Sequence, residues 1–208
     1  SSAAVTAAVV AALLTFARGI PPEKAEVFDE ALAVVHEVQD GRGSGTDLVA
    51  SVYGGLIAYT VSPRQIEALS GLPPISLFYA GYKTKTPDVL KLVEARSASQ
   101  PALFQNLYAL MHATTHAAEA AIAAQDWPEL GKLMDTYQGL MAALGVEDAV
   151  ISDMIWRLRG SDKIQGAKIS GSGLGDCVIA LGNDETLDMP YEAIPVAVSP
   201  TGIEIEYA

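Results

Sequence analysis

Four short stretches bring together residue types that can bind or move phosphate. "GRGSGTD" (residues 41–47) sets three glycines ahead of a lone carboxylate, Asp47. Glycine lets a backbone turn with positive φ and come close to a ligand. A carboxylate at the end of such a loop can orient a hydroxyl and take its proton; equally, Asp47 can simply cap a short helix after a flexible connection. "KISGSGLGDC" (168–177) alternates Gly171, Gly173 and Gly175 with other residues between two strand-like runs. A hairpin needs only one or two glycines, so three indicate close approach by another backbone or by a ligand. "GYKTKT" (81–86) sets Lys83 and Lys85 among Thr84 and Thr86 after a strand-like run. Such a turn suits a phosphate group, or is a solvated charged turn. Ser1 and Ser2 open an apolar helical run. The first turn of a helix carries free N–H groups and a positive dipole end that attract anions, though serine is also an ordinary cap there.

Two further clusters hold metal-ligating types. His36, Glu37 and Asp40 precede the glycine loop. One of these carboxylates could face Mg²⁺, which prefers oxygen ligands and keeps several waters; otherwise they form a solvated helix end. His112 and His116 lie four apart with Glu119 three further on. That spacing can bind zinc, but the acid is not where the H-E-x-x-H motif puts it, so a polar helix face is the expected reading.

The elements that must position these residues follow from periodicity. Residues 1–17 are nearly uncharged, and a helix over about Ser2–Ala17 is expected, apolar all round and so buried on all sides. No basic region precedes it, and it is shorter and richer in alanine than the roughly 20 apolar residues of a membrane span. Because chain ends are usually surface features, a buried helix here implies an engineered or processed start, or the latter part of a longer protein. Pro21-Pro22 and Glu23 start a second helix, with Val27, Phe28, Ala31, Val34, Val35 and Val38 on one face. "DLVASVYG" reads as a short helix, "GGLIAYTV" and "PISLFYAGY" as strands, and "RQIEALSGL" as a weaker strand or turn. Helices follow from Pro87; one opens on Asp126 and Glu129 in a capping-box arrangement and stops at Gly145. The last expected strands are "GAKIS", "DCVIAL", "IPVAVS" and "GIEIEYA".

The 208 residues can build one sizeable core or two small ones, and half of them are hydrophobic. A net charge of −12 argues against a general nucleic-acid binder, which needs a basic face, but leaves room for a local phosphate site. Cys177 is the single cysteine, so no intrachain disulfide forms, which fits a reducing, cytoplasmic compartment.

Taken in order, "SSAA" opening an apolar helix, "GSGTD…GG", "GYKTKT" and "KISGSGLGDC" resemble the GHMP kinase superfamily, most closely its mevalonate and phosphomevalonate kinase branch. The resemblance spans the chain. It implies an α+β, two-layer fold: the remainder of an N-terminal α/β domain over residues 1–80 and a C-terminal ferredoxin-like α+β domain over 81–208. It also implies that the glycines before the two serines, and the strands before them, belong to an absent N-terminal portion. The implied activity is transfer of the γ-phosphoryl group of ATP, with Mg²⁺, to mevalonate or a close relative such as phosphomevalonate. A non-catalytic kinase-like assembly module, dimerising through the helices of residues 101–159, is the reading from another class. The resemblance makes Asp47 the catalytic base and puts Ser1, Ser2, Ala3, Gly171, Ser172 and Gly173 at the nucleotide. Gly45, Thr46, Lys85 and Thr86 then lie at the substrate, and Ser2 and Glu37 at Mg²⁺.

Overall fold

A computed structural model of the chain describes residues 2–206. The chain folds as two compact units, residues 1–72 with 198–208, and residues 73–197.

The first unit holds α1 (Ser2–Arg18), α2 (Lys24–Val38), α3 (Thr46–Tyr53) and a hairpin of β1 (Leu56–Thr60) and β2 (Gln65–Leu69). The helix after Pro21-Pro22 forms where expected, with Glu23 extended at its N-cap. Its apolar face buries Val27, Phe28 and Ala31 against Leu48, Val49 and Val52 of α3. The third partner is α1, through Ala3, Ala7 and Ala11, spaced four apart on one face. Alanine there lets the helix backbones approach closely. The expectation that this helix is buried on all sides is not met among the described residues. Val5, Val9 and Leu13 are at least half exposed, and Phe16 is 90% exposed. Uniform hydropathy gave no means of choosing a face, and the small residues took the packed one.

The sequence's last expected strand, "GIEIEYA", is irregular as far as Glu206. Its alternation still counts, since Ile203 and Ile205 pack on the first unit's core. Its backbone, however, is spent on a helix end: Gly202 N donates to Tyr53 O at 3.1 Å and Ile203 N to Val52 O at 3.1 Å. Those carbonyls are the ones α3 leaves unpaired in its last turn. "IPVAVS" likewise yields only the end of β6 (Glu192–Ile194).

The second unit is an antiparallel sheet in the order β4-β5-β3-β6, built from β3 (Ile75–Lys83), β4 (Ile164–Ser170), β5 (Gly175–Gly182) and β6. Helices α4 (Thr86–Ser99), α5 (Pro101–Ala123), α6 (Trp127–Leu144) and α7 (Ala149–Arg159) complete it. β3 pairs with β5 on one side and β6 on the other. That pairing places the whole of β3 in this unit, which begins at Pro73. The expected caps form: Asp126 accepts from Glu129 N at 3.0 Å, and Gly145 ends α6 with φ +85°. The core joins Phe104, Leu144, Ile151, Met154 and Leu158 of the helices to Ile169, Val178 and Ala180 of the sheet. Within it, Gln138 is buried but fully used: it donates to Glu147 at 2.7 Å and accepts from Ile169 N at 2.7 Å. The class is α+β, as expected.

Candidate phosphoryl-transfer site

In the first unit the glycine loop runs from Gln39 to Gly45, between α2 and α3. Asp40, Gly41, Gly43 and Gly45 all have positive φ. At Gly45 (φ +79°) a side chain would also collide: a Cβ would lie 3.0 Å from Leu32 and 3.2 Å from Phe28. The loop therefore enters α3 through a residue that only glycine fills without strain. Gly45 occupies the N-cap, with no side-chain cap.

Asp47 is thus not the N-cap of α3. It lies inside the first turn, exposed, where its Oδ1 accepts from Leu48 N at 3.0 Å and its backbone carbonyl accepts from Ser51 Oγ at 2.7 Å. A carboxylate in a helix's first turn is stabilised by the dipole and by free N–H groups. Next to it, Ser44 Oγ and Thr46 Oγ1 are 2.8 Å apart. The carbonyls of the loop are also held. His36 Nε2 lies 2.9 Å from Gly43 O, and Tyr59 Oη donates to Ser44 O at 2.8 Å. The sequence signalled His36 by its position before the loop. Tyr59 gave no signal beyond being an aromatic residue in a strand.

Ser2 is exposed at the start of α1, its carbonyl accepting from Thr6 Oγ1 at 2.9 Å, and Ala3 is buried against the other helices. Ser1 lies outside the described residues. Glu37 is exposed on the last turn of α2. Among the described residues no group of three His, Cys, Asp or Glu side chains is placed to hold a metal ion. His112 and His116 form an edge contact, with His116 Nδ1 3.3 Å from Glu119.

In the second unit residues 171–174 join β4 to β5, and Gly171, Gly173 and Leu174 of this loop, with Gly175 and Asp176 at the start of β5, have positive φ. The sequence left open what approaches its glycines. At two of them it is this chain itself: a Cβ at Gly173 would lie 2.3 Å from Val146 O, and one at Gly175 2.7 Å from Tyr82. Gly171 differs, being exposed with only Asp176 within 4 Å of such an atom. Leu174 N donates to Val146 O at 2.8 Å, and Thr84 N to Leu174 O at 3.2 Å, so the loop is stitched to the "GYKTKT" segment.

The two lysines there are not equivalent. Lys83 is paired with Asp176 at 2.6 Å, and that bond raises its pKa. Lys85 is exposed at the N-cap of α4, and Thr86 is the exposed first residue of that helix. Burial, and then the Asp148 carboxylate bonded to its hydroxyl at 2.6 Å, push the Tyr82 phenol up to about 12. The structure thus gathers Gly45, Thr46 and Asp47 in one unit. In the other, the Thr84–Leu174 hydrogen bond ties the segment that leads to Lys85 and Thr86 to the loop of Gly171, Ser172 and Gly173.

The model of the GHMP kinases N-terminal domain matches residues 1–55, and that of the GHMP kinases C terminal matches residues 118–188. The chain belongs to the GHMP kinase family. It is 26% identical over 184 residues to a mevalonate kinase of Aeropyrum pernix, covering 82% of this chain and 55% of the relative. Against a mevalonate kinase of Thermococcus sibiricus it is 29% identical, covering 99% of this chain and 64% of the relative. The chain therefore spans little more than half to under two-thirds of the length of these relatives. Among solved structures, L. major mevalonate kinase in complex with R-mevalonate superposes with a TM-score of 0.75 at 25% identity, covering 88% of this chain and 57% of that one. No helix among the described residues is long and apolar enough to cross a membrane.

Proposed function

We propose that the protein to which this chain belongs transfers the γ-phosphoryl group of Mg·ATP to the hydroxyl of mevalonate. The observation that carries this reading is Asp47: an exposed carboxylate in the first turn of α3, presented by a loop that Gly45 closes against Phe28 and Leu32. The relatives named mevalonate kinase supply the acceptor.

Phosphoryl transfer asks a protein chiefly for positioning and for charge neutralisation. Asp47 orients the acceptor hydroxyl and takes its proton as oxygen bonds to phosphorus and the bond to the ADP oxygen breaks. Gly45 and Thr46 line the acceptor side. Ser2 and Ala3 open the first helix, whose N–H groups suit phosphate oxygens, and Ser1, the preceding residue in the sequence, is assigned to the nucleotide with them. Exposed Gly171, with Ser172, offers backbone donors, while buried Gly173 serves by closing the loop on Val146. Lys85 and Thr86, at a helix start, suit the transferred group.

Mg²⁺ fits a sparse set of donors: it keeps waters and takes its remaining ligands largely from the nucleotide phosphates. Ser2 and Glu37 are the residues we assign to it. When bound, it neutralises charge on the β- and γ-phosphates.

The test is ADP release from Mg·ATP by the full-length gene product, with mevalonate and phosphomevalonate offered separately. Mevalonate is expected to be preferred, and Asp47→Asn to lower kcat by at least about a hundredfold while the fold is kept. Release that ignores mevalonate, or an Asp47→Asn enzyme with normal kcat, refutes the assignment.

A further inference from the structure

The 39–45 loop leads into the turn that carries Asp47 through a glycine-rich backbone. Four of its residues have positive φ, three of them glycines. Asp47 lies in the turn of α3 that this segment enters, so how the segment is held sets how that turn is presented, and small displacements of a reacting group cost rate steeply. Two side chains from different elements hold the segment. Tyr59, on β1, donates its hydroxyl to Ser44 O at 2.8 Å. His36, on α2, is 2.9 Å from Gly43 O, and because a carbonyl only accepts, Nε2 carries the proton. These are consecutive carbonyls, and Asp47 follows three residues after Ser44.

The tyrosine is itself fixed. Its ring meets the Phe28 ring edge-on, with centroids 6.0 Å apart and planes at 77°. Phe28 is 1% exposed and carries the Arg64 guanidinium over its face at 5.5 Å, and Arg64 is paired with Asp29 of α2. Phe28 also closes on Gly45, so one buried ring supports both the hydroxyl that grips the loop and the residue at which the loop becomes helix. We propose that Tyr59 and His36 are positioning residues that clamp the Ser44 and Gly43 carbonyls and so hold Asp47 in one orientation toward the acceptor hydroxyl. The inference rests on Asp47 being the base.

Tyr59→Phe keeps the ring and its contact with Phe28 and deletes the donor. His36→Ala deletes the other donor, and His36→Gln returns an amide N–H in its place. In the full-length protein, kcat and the KM values for Mg·ATP and mevalonate are measured beside amide hydrogen exchange of the peptide spanning 41–48. Tyr59→Phe is expected to speed exchange of that peptide about fivefold to tenfold, as for one lost hydrogen bond. It is expected to lower kcat about tenfold with both KM values within about twofold, the mark of an interaction that matters only to the transition state. His36→Ala is expected to do the same, and His36→Gln to recover most of both. Unchanged exchange overturns the clamp, whatever happens to turnover. Faster exchange with unchanged kcat overturns the positioning role. If the unsubstituted protein turns over neither acceptor, the kinase reading fails, while exchange alone still shows whether the clamp is real.

Discussion

Helix α6 contains two glycines, and the structure assigns opposite outcomes to the same substitution at each. In a helix interior alanine is favoured over glycine by about 1 kcal/mol. At Gly139, which is exposed, nothing lies within 4 Å of the added methyl group, so this gain is free of any steric cost. At Gly131 the methyl carbon would lie 2.1 Å from the carbonyl oxygen of Gln165 and 2.4 Å from its carbon. Facing it on β4, a Cβ at Gly166 would lie 2.1 Å from Gly131 O. Helix and strand therefore touch backbone to backbone, and neither can yield by turning a side chain. Overpacking a tight contact costs about 1–3 kcal/mol, and this contact is at or beyond the upper end because the obstacle is backbone. Gly131→Ala is expected to destabilise the second unit by about 2 kcal/mol net, after the helix gain is subtracted. Gly139→Ala is expected to stabilise it by about 1 kcal/mol. In a protein of this size the melting temperatures should differ by roughly 10 °C. Trp127 and Trp156 are the chain's two tryptophans and both lie in this unit, so fluorescence-detected urea unfolding reads it selectively. Midpoints that move the same way for both variants would refute the reasoning.

Two further predictions concern protonation. Burial, reinforced by the Asp176 carboxylate, pushes the Cys177 thiol up to about 11. Its reaction with an aromatic disulfide at pH 7.5 should be at least about a hundredfold slower than that of a free thiol and recover in denaturant; a fast native reaction would show the thiol is not held so. Asp184 accepts from Ser161, Thr186 and Lys163, which hold its carboxyl below the usual carboxylate range. A depressed pKa contributes stability that is complete above the unfolded value of about 3.9 and is lost as pH falls below it. Asp184→Asn should therefore lower the second unit's stability at pH 7 and make it depend less on pH between about 4 and 2; an unaltered acid profile would remove Asp184 as a cause.

Much of this protein is local and was legible as such. Proline, glycine and short polar residues set helix ends through bonds within a few residues, so Asp126 and Gly145 cap α6 as their spacing dictates, while the Glu129 side chain turns to Lys132 and leaves the capping box half made. The glycine loop, Asp47 after it, the "GYKTKT" turn and the 171–175 loop were visible because chemistry of this kind restricts residue type at short spacing. The α+β class followed from the family resemblance that the four motifs carry in order.

Contacts between distant segments decided the rest. α1 is apolar on every side, and only packing against α2 and α3 selects Ala3, Ala7 and Ala11 as its buried face. "GIEIEYA" alternates as a strand does, yet its N–H groups cap the last turn of α3, because those carbonyls were the unpaired acceptors within reach. The three glycines of "KISGSGLGDC" look alike in the sequence. Val146 and Tyr82, far from them in the chain, explain two of them and leave Gly171 open. Tyr59 carried no mark of function until the hairpin brought its hydroxyl to Ser44 O. The sequence alone determined which residues are candidates for the chemistry, since residue type and local spacing are properties of the chain. Which faces pack, what fills each close approach and which side chains reach the loop before Asp47 depend on which distant segments meet, and folding alone decides that.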